Sequence, residues 1–233
     1  MLADADRKAT GGLGGLLLLC AGLSTSASAQ TAPPWPDTFI SRLEAVAVIE
    51  TLNATLLAAR SATFTLDTWC ADHKLAAAGA KIRARLVRGV NKPVSAEQRA
   101  RLKIGADEVV KFRHVELTCG DRILSEADNW YVPSRLTPEM NRLLETTETP
   151  FGRAVAALKP FRRTFAVELR WRPLPEGWEF RPPPPDHAGQ ALQMPAILFE
   201  HRALVLLPDQ TPIAEVDENY TRANLAFAPL QQP

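Results

Sequence analysis

The strongest constraint on this chain is an internal echo. Its two tyrosines, Tyr131 and Tyr220, are 89 residues apart, and at that one offset Arg113 falls on Arg202, Leu117 on Leu206, Glu126 on Glu215, Asp128 on Asp217 and Leu136 on Leu225. RHVELTCGDRILSEADNWYVPSRL is thus matched, without a gap, by RALVLLPDQTPIAEVDENYTRANL. A repeat fixes architecture before it says anything of function. Two strand-turn-strand units, each with an arginine early and a carboxylate pair late, predict one sheet with pseudo-twofold symmetry. Such a sheet lines a single pocket from both sides.

Period-two alternation extends the sheet. EVVKFRHVELTC (108–119) and RILSEADNWYV (122–132) read as a hairpin around Gly120 and Asp121, and AILFEHRALVLL with PIAEVDENYT as a second. KIRARLVRG (81–89) and RRTFAVELRW (162–171) supply two more strands. Asp37 caps a first helix with Phe39, Leu43, Val46, Ile49, Leu52 and Leu56 at helical spacing, and a second covers 63–76. VSAEQRARLKI holds a short helix, and Thr137-Pro138 and Thr149-Pro150 open two more, with proline at the first helical position. The proline-rich stretch 172–190 suits neither ladder nor helix interior and reads as a long surface loop, a candidate flap. The predicted class is α+β, a mostly antiparallel sheet of about six strands with helices on one face.

Composition excludes one class of partner. The net charge is +1 with both signs interspersed, so the chain carries no electrostatic footprint for nucleic acid. Arg7 and Lys8 precede the apolar run GGLGGLLLLCAGL, and Ala27-Ser28-Ala29 follows with the small-x-small form of a signal-peptidase site. The run is short of the roughly 20 apolar residues that span a bilayer. The expectation is a signal peptide over 1–29, a linker over 30–36 and a single domain over 37–233, periplasmic or secreted, with no stable membrane span after cleavage. A non-cleaved anchor is the alternative.

Cleavage at that point leaves Cys70 and Cys119. In an exported protein two cysteines suggest one disulfide, closing a loop of about 50 residues and contributing roughly 4 kcal/mol in the chain-entropy picture. Two buried thiols remain the other option. Cys70 and His73 have no second half-site at metal spacing, so neither a metal nor another cofactor is expected.

Alternation also places the candidate site. Arg113 shares a strand face with Val115, Leu117 and Cys119, and Arg202 with Leu198, Leu204 and Leu206. An arginine within an apolar face needs a partner. One reading is a pair of cross-strand ion pairs, Arg113 with Glu126 or Asp128 and Arg202 with Glu215 or Asp217. The other is that both guanidinium groups receive an anionic ligand, with a carboxylate as acid or base. Phe151, Gly152 and Arg153, just after a helix-opening proline, add free N–H groups at a helix start. His114 and His201 fall on the strand faces opposite the arginines and read as surface or satisfied side chains.

The series KFRHVELTCGDRILSEADNWYVP, TPFGRAV, RRTFAVE and FEHRALVLLPDQTPIAEVDENY resembles the chorismate pyruvate-lyase family. It is also similar to the ligand-sensing domains of some bacterial transcription regulators that share that fold. The resemblance covers about residues 64–228, and TPFGR with the V-P-ending strand before it is its most specific part. It implies a chorismate lyase-like antiparallel sheet enclosing a buried pocket for a small anionic aromatic ligand. Arg113 would then grip a substrate carboxylate, and Phe151 and Gly152 would give a backbone contact. Asp217, five places after Pro212, would fall where the lyases carry an essential glutamate, with Glu215 on the same face as a substitute. Two functions follow: elimination of pyruvate from chorismate or a related acid to give a 4-hydroxybenzoate-type product, or exported binding of such an acid without turnover.

Overall fold

The computed structural model describes residues 34–229. The expected signal peptide lies outside them, as does most of the expected linker. Within the described residues, Trp35 is a core residue whose indole donates to the Leu225 and Phe227 carbonyls, so the domain is already packed at that point.

Six strands form one antiparallel sheet: β1 (Arg83–Leu86), β2 (Lys111–Cys119), β3 (Arg122–Tyr131), β4 (Phe161–Leu169), β5 (Ile197–Leu206) and β6 (Pro212–Thr221), in spatial order β1-β2-β3-β6-β5-β4. The class is α+β, as expected. The order is palindromic in the repeat: each hairpin places its second strand at the centre and a preceding strand at the edge. β3 and β6 meet with Asp128 opposite Asp217, so the pseudo-twofold axis passes between those two residues.

The symmetry is off by one residue outside the centre. β3 and β6 correspond at the 89-residue offset, whereas β2 and β5 correspond at 88. Arg113 lies opposite Asn129, and the residue opposite Glu218, 89 places on from Asn129, is His201. Both hairpins lose register near the turn, at Leu117/Thr118 in one and Val205/Leu206 in the other. Because side chains alternate with period two, a slip of one residue moves a side chain to the opposite face. Arg113 is therefore equivalent to His201, and His114 to Arg202.

The helices are α1 (Phe39–Ala58), α2 (Ala62–Asp72), α3 (Ala96–Leu102), α4 (Pro138–Thr146) and α5 (Phe151–Ala154). Thr38, not Asp37, caps α1, accepting from the Ser41 N–H, while Asp37 pairs with Arg42 at 2.7 Å. The main core joins Ile49, Leu52 and Leu56 of α1 and Leu66 and Trp69 of α2 to the inner sheet face at Val115, Leu117, Ala127, Phe199 and Tyr220. A second cluster seats Met140 and Leu144 of α4 and Ala154 of α5 on Tyr131, Ile213 and Ala214. Each fully buried leucine or phenylalanine contributes about 1.5–3 kcal/mol. α3 reaches the other, outer face, where Arg101 meets Glu215.

Cys70 and Cys119 are joined in a disulfide that ties the last turn of α2 to the end of β2. The hairpin turns on Gly120 at φ +56°, in the left-handed region that favours glycine. The proline-rich stretch is tied down at its far end. Its Asp186 accepts from the Phe39 N–H, its Pro185 carbonyl accepts from Arg42, and Ala191 just beyond bridges to Pro36, all at the start of α1.

Candidate functional site

A cavity opens on the inner face over the pseudo-twofold axis. Its floor is β2, β3, β5 and β6, through Val115, Leu117, Ala127, Val205 and Val216. Its roof is the α1–α2 corner, Arg60 to Thr63, with Phe151 and Gly152 of α5. The polar groups in its wall are Arg113, Asn129, Arg162, Glu218 and the Ser61 hydroxyl, with Arg60 near its mouth. Two neighbouring cross-strand rows supply Arg113, Asn129 and Glu218: Arg113-Asn129-Val216-Ala203 and Val115-Ala127-Glu218-His201. The axis exchanges the rows, so Arg113-Asn129 in one half answers His201-Glu218 in the other.

Arg113 is the unusual group. It is 5 % exposed, yet among the described residues it has no carboxylate partner. Its Nη2 makes one long contact, 3.4 Å to the Thr149 carbonyl, and its Nε has no acceptor. Burial holds its pKa below the ordinary arginine value, although a guanidinium stays charged. Asn129 Oδ1 and Ser61 Oγ, also in the wall, lack partners too. Ser61 stands at the N-cap of α2 without capping it, and Ala62 and Thr63 in the wall carry N–H groups with no intrahelical acceptor.

The opposite half is satisfied from within. Arg162 donates to Glu218 at 2.5 Å, and Tyr220 adds its hydroxyl to the same carboxylate oxygen at 3.1 Å. Burial works against the Arg162 charge, but Glu218 and Tyr220 leave its pKa raised. Its buried Nε nevertheless has no partner. Burial first, then Glu218, pushes the Tyr220 hydroxyl well above its ordinary value, so it stays a donor. The cavity thus offers one uncompensated cation, several free donors, one free amide oxygen and one carboxylate, within largely apolar walls.

The expected site residues divide between the two faces. Arg113, Phe151 and Gly152 line the cavity. Gly152 is there for a steric reason: a Cβ would sit 2.4 Å from Ser61 Oγ and 3.0 Å from Thr63 Oγ1. Arg153 turns away, bridging Asp67 at 2.7 Å and the Ile82 carbonyl at 2.9 Å, and so pins α5 to α2 and the approach to β1. Arg202 is exposed on the outer face beside Glu200, because of the one-residue slip. Asp217 and Glu215 share that outer face, so neither reaches the cavity. Glu215 is a bidentate partner of Arg101 at 2.7 and 2.8 Å. The expected pairing of Arg113 with Glu126 or Asp128 fails for the same geometric reason. Asp128 instead binds His114 at 2.8 Å and Lys92.

The outer face has its own symmetric row, His114-Asp128-Asp217-Arg202. Burial, then Glu200 and Asp128, push the Asp217 carboxyl up to about 6. Sequence reasoning missed Ser61, Arg162 and Glu218. The signal for Glu218 was present: it alternates with Asp217, so excluding one face selects it. Among the described residues no group of three or more His, Cys, Asp or Glu is arranged to hold a metal ion. None of their helices is long and apolar enough to cross a membrane.

No model of a known protein family matches the chain. Among solved structures it is similar to PhnF from Mycobacterium smegmatis, with 11 % identity, TM-score 0.45 and coverage of 88 % of this chain and 94 % of that one. The effector domain of PhnF gives 14 % identity and TM-score 0.44 over 74 % of this chain and 95 % of that one. The possible transcriptional regulator YydK from Bacillus subtilis gives 17 % and 0.39 over 66 % and 63 %. Likeness of this degree says nothing of ligand or activity. Sequence kinship is far stronger with one curated protein from Sinorhizobium fredii (strain NBRC 101917 / NGR234), 51 % identical over 200 residues that make up 85 % of this chain and 84 % of that one. The chain belongs to the family of that relative, the uncharacterized protein y4mC.

Proposed function

We propose that this protein is a binding module for a small, largely apolar acid. Arg113 takes the carboxylate, and the ligand's own hydrogen-bond donor meets Asn129 beside it or Glu218 diagonally across the axis. The observation that carries this reading is the buried Arg113 guanidinium, which stands in the wall of a largely apolar cavity with no acceptor at its Nε and no carboxylate beside it among the described residues. A buried charge without a partner costs several kcal/mol at the order-of-magnitude level, and a ligand carboxylate removes that cost. Ser61 and the first turn of α2 add donors on the same side. The test is calorimetric titration with benzoate, 4-hydroxybenzoate and cyclohexanecarboxylate. Saturable binding of one or more is expected; heat of dilution alone with all three at millimolar concentration contradicts the reading.

A lyase reading has one observation in its favour. Glu218 of the final strand, rather than Asp217, lines the cavity across the axis from Arg113, and in a lyase it would be the proton-transfer group. Turnover would appear as pyruvate released from chorismate in a coupled lactate dehydrogenase assay and lost in Glu218→Gln. Absence of pyruvate alongside acid binding leaves the binding module.

Export belongs to the same proposal. The Cys70–Cys119 disulfide suits an oxidising compartment, and the basic, apolar and small-residue order of 1–29 suits a signal peptide. Amino-terminal sequencing of protein from a periplasmic extract should begin near Gln30; an intact start in the cytoplasmic fraction contradicts it.

A further inference from the structure

His201 is the pseudo-twofold counterpart of Arg113, yet its ring is fully buried and bound on both nitrogens. Arg162 Nη2 approaches Nδ1 at 3.4 Å, and Asn53 Oδ1 of α1 lies 2.8 Å from Nε2. A guanidinium only donates, so Nδ1 must accept, and the proton belongs on Nε2, which donates to Asn53. The amide of Asn53 is oriented in turn, because its Nδ2 donates to Glu50 Oε2 at 3.1 Å. Donor and acceptor directions are therefore forced from Glu50 on the surface of α1 to Glu218 in the cavity wall. Burial, then Arg162, push the imidazole down to about 3, so the ring is neutral in ordinary buffers and the tautomer is the variable that matters.

We propose that Asn53, which does not line the cavity, is a positioning residue for its acid end. By accepting from His201 Nε2 it fixes the imidazole tautomer that receives Arg162, and through Arg162 it sets the place of Glu218. Removing that acceptor frees the ring to carry its proton on Nδ1. An N–H would then face an N–H of Arg162, and the guanidinium would withdraw from its position between His201 and Glu218. One half of the duplicated site is thus left open for a ligand at Arg113, while the other is closed by a helix that holds its counterpart. The binding consequence rests on the acid-binding reading; the tautomer does not.

The test uses Asn53→Leu, which removes the acceptor at similar size, and Asn53→Asp made together with Glu50→Gln, which keeps the acceptor without setting two carboxylates side by side. In ligand-free protein, the imidazole nitrogen resonances of His201 should report Nε2–H in wild type and the double variant, and a tautomer mixture in Asn53→Leu. With 4-hydroxybenzoate as probe, Asn53→Leu should bind about tenfold more weakly and the double variant within about threefold of wild type. Benzoate, which has no donor for Glu218, should change far less. Unchanged His201 resonances in Asn53→Leu overturn the proposal whatever the binding shows. Equal weakening of both acids in step with a lowered Tm overturns it as well. If wild type binds neither acid, the cavity reading fails while the resonances still decide the tautomer.

Discussion

Arg113 and His201 occupy equivalent positions on the two hairpins, one opposite Asn129 and the other opposite Glu218, and they differ in what holds them. His201 is tied to Asn53 and Arg162, whereas Arg113 has one long contact to a carbonyl. A duplicated frame has thus diverged into a satisfied half and an unsatisfied half. The unsatisfied half is where a ligand has something to contribute.

On the acid-binding proposal, Arg113 is a liability to the empty protein. Arg113→Met should therefore raise unfolding free energy by about 1–2 kcal/mol, since an apolar chain of similar length replaces a buried, unpartnered charge. Urea unfolding of ligand-free protein checks this. A loss of stability would instead mark Arg113 as part of the scaffold.

Arg202 should behave differently despite its matching place in the repeat. It is exposed and sits beside Glu200 at 3.4 Å. Arg202→Ala should change stability by less than about 0.5 kcal/mol and leave acid binding within about twofold of wild type. The two variants read by one titration separate the faces of the sheet.

The sequence carries the sheet, its pseudo-twofold symmetry and the hairpins, because alternation and the repeat are local or one-dimensional signals. It does not carry the one-residue slip. The face on which Arg202 falls depends on the length of the second turn, because five residues separate Leu206 from its partner Pro212 where four separate Thr118 from Ile123, and a uniform offset conceals that. β4 fails similarly: a bulge between Thr164 and Ala166 shifts the alternation, so Phe165 no longer shares a face with Val167 and Leu169, and Arg162 turns inward. Ser61 reaches the cavity only because α2 packs over β2, which no window of sequence states.

Gly152 is predicted to be intolerant of a side chain for the sake of Ser61. Gly152→Ala should cost about 1–3 kcal/mol by overpacking and weaken acid binding by turning the Ser61 hydroxyl out of the wall. Adding Ser61→Ala removes the closest clash, at 2.4 Å, and should recover part of the stability without recovering binding. Thermal unfolding with calorimetry on the single and double variants distinguishes the two effects.

The outer row supplies a pH signature. The Asp217 carboxyl is raised from 3.8 to about 6 by burial, then by Glu200 and Asp128, so the folded state holds that proton more tightly than the unfolded chain. Its contribution to stability is fully present below the unfolded value and lost as pH rises through about 6. Asp217→Asn removes the ionisation. Its advantage over wild type should grow by about 1 kcal/mol between pH 4 and 7.5, after allowance for solvent screening at a partly buried group. Parallel stability profiles for the two proteins would contradict the assignment.

Titration of wild type and Arg113→Ala with 4-hydroxybenzoate, side by side at one ionic strength, tests the central claim most directly. The account predicts saturable binding to wild type and at least about 30-fold weaker binding to a folded Arg113→Ala, the loss expected for a buried charge-assisted contact. Equal affinity in the two proteins would contradict it.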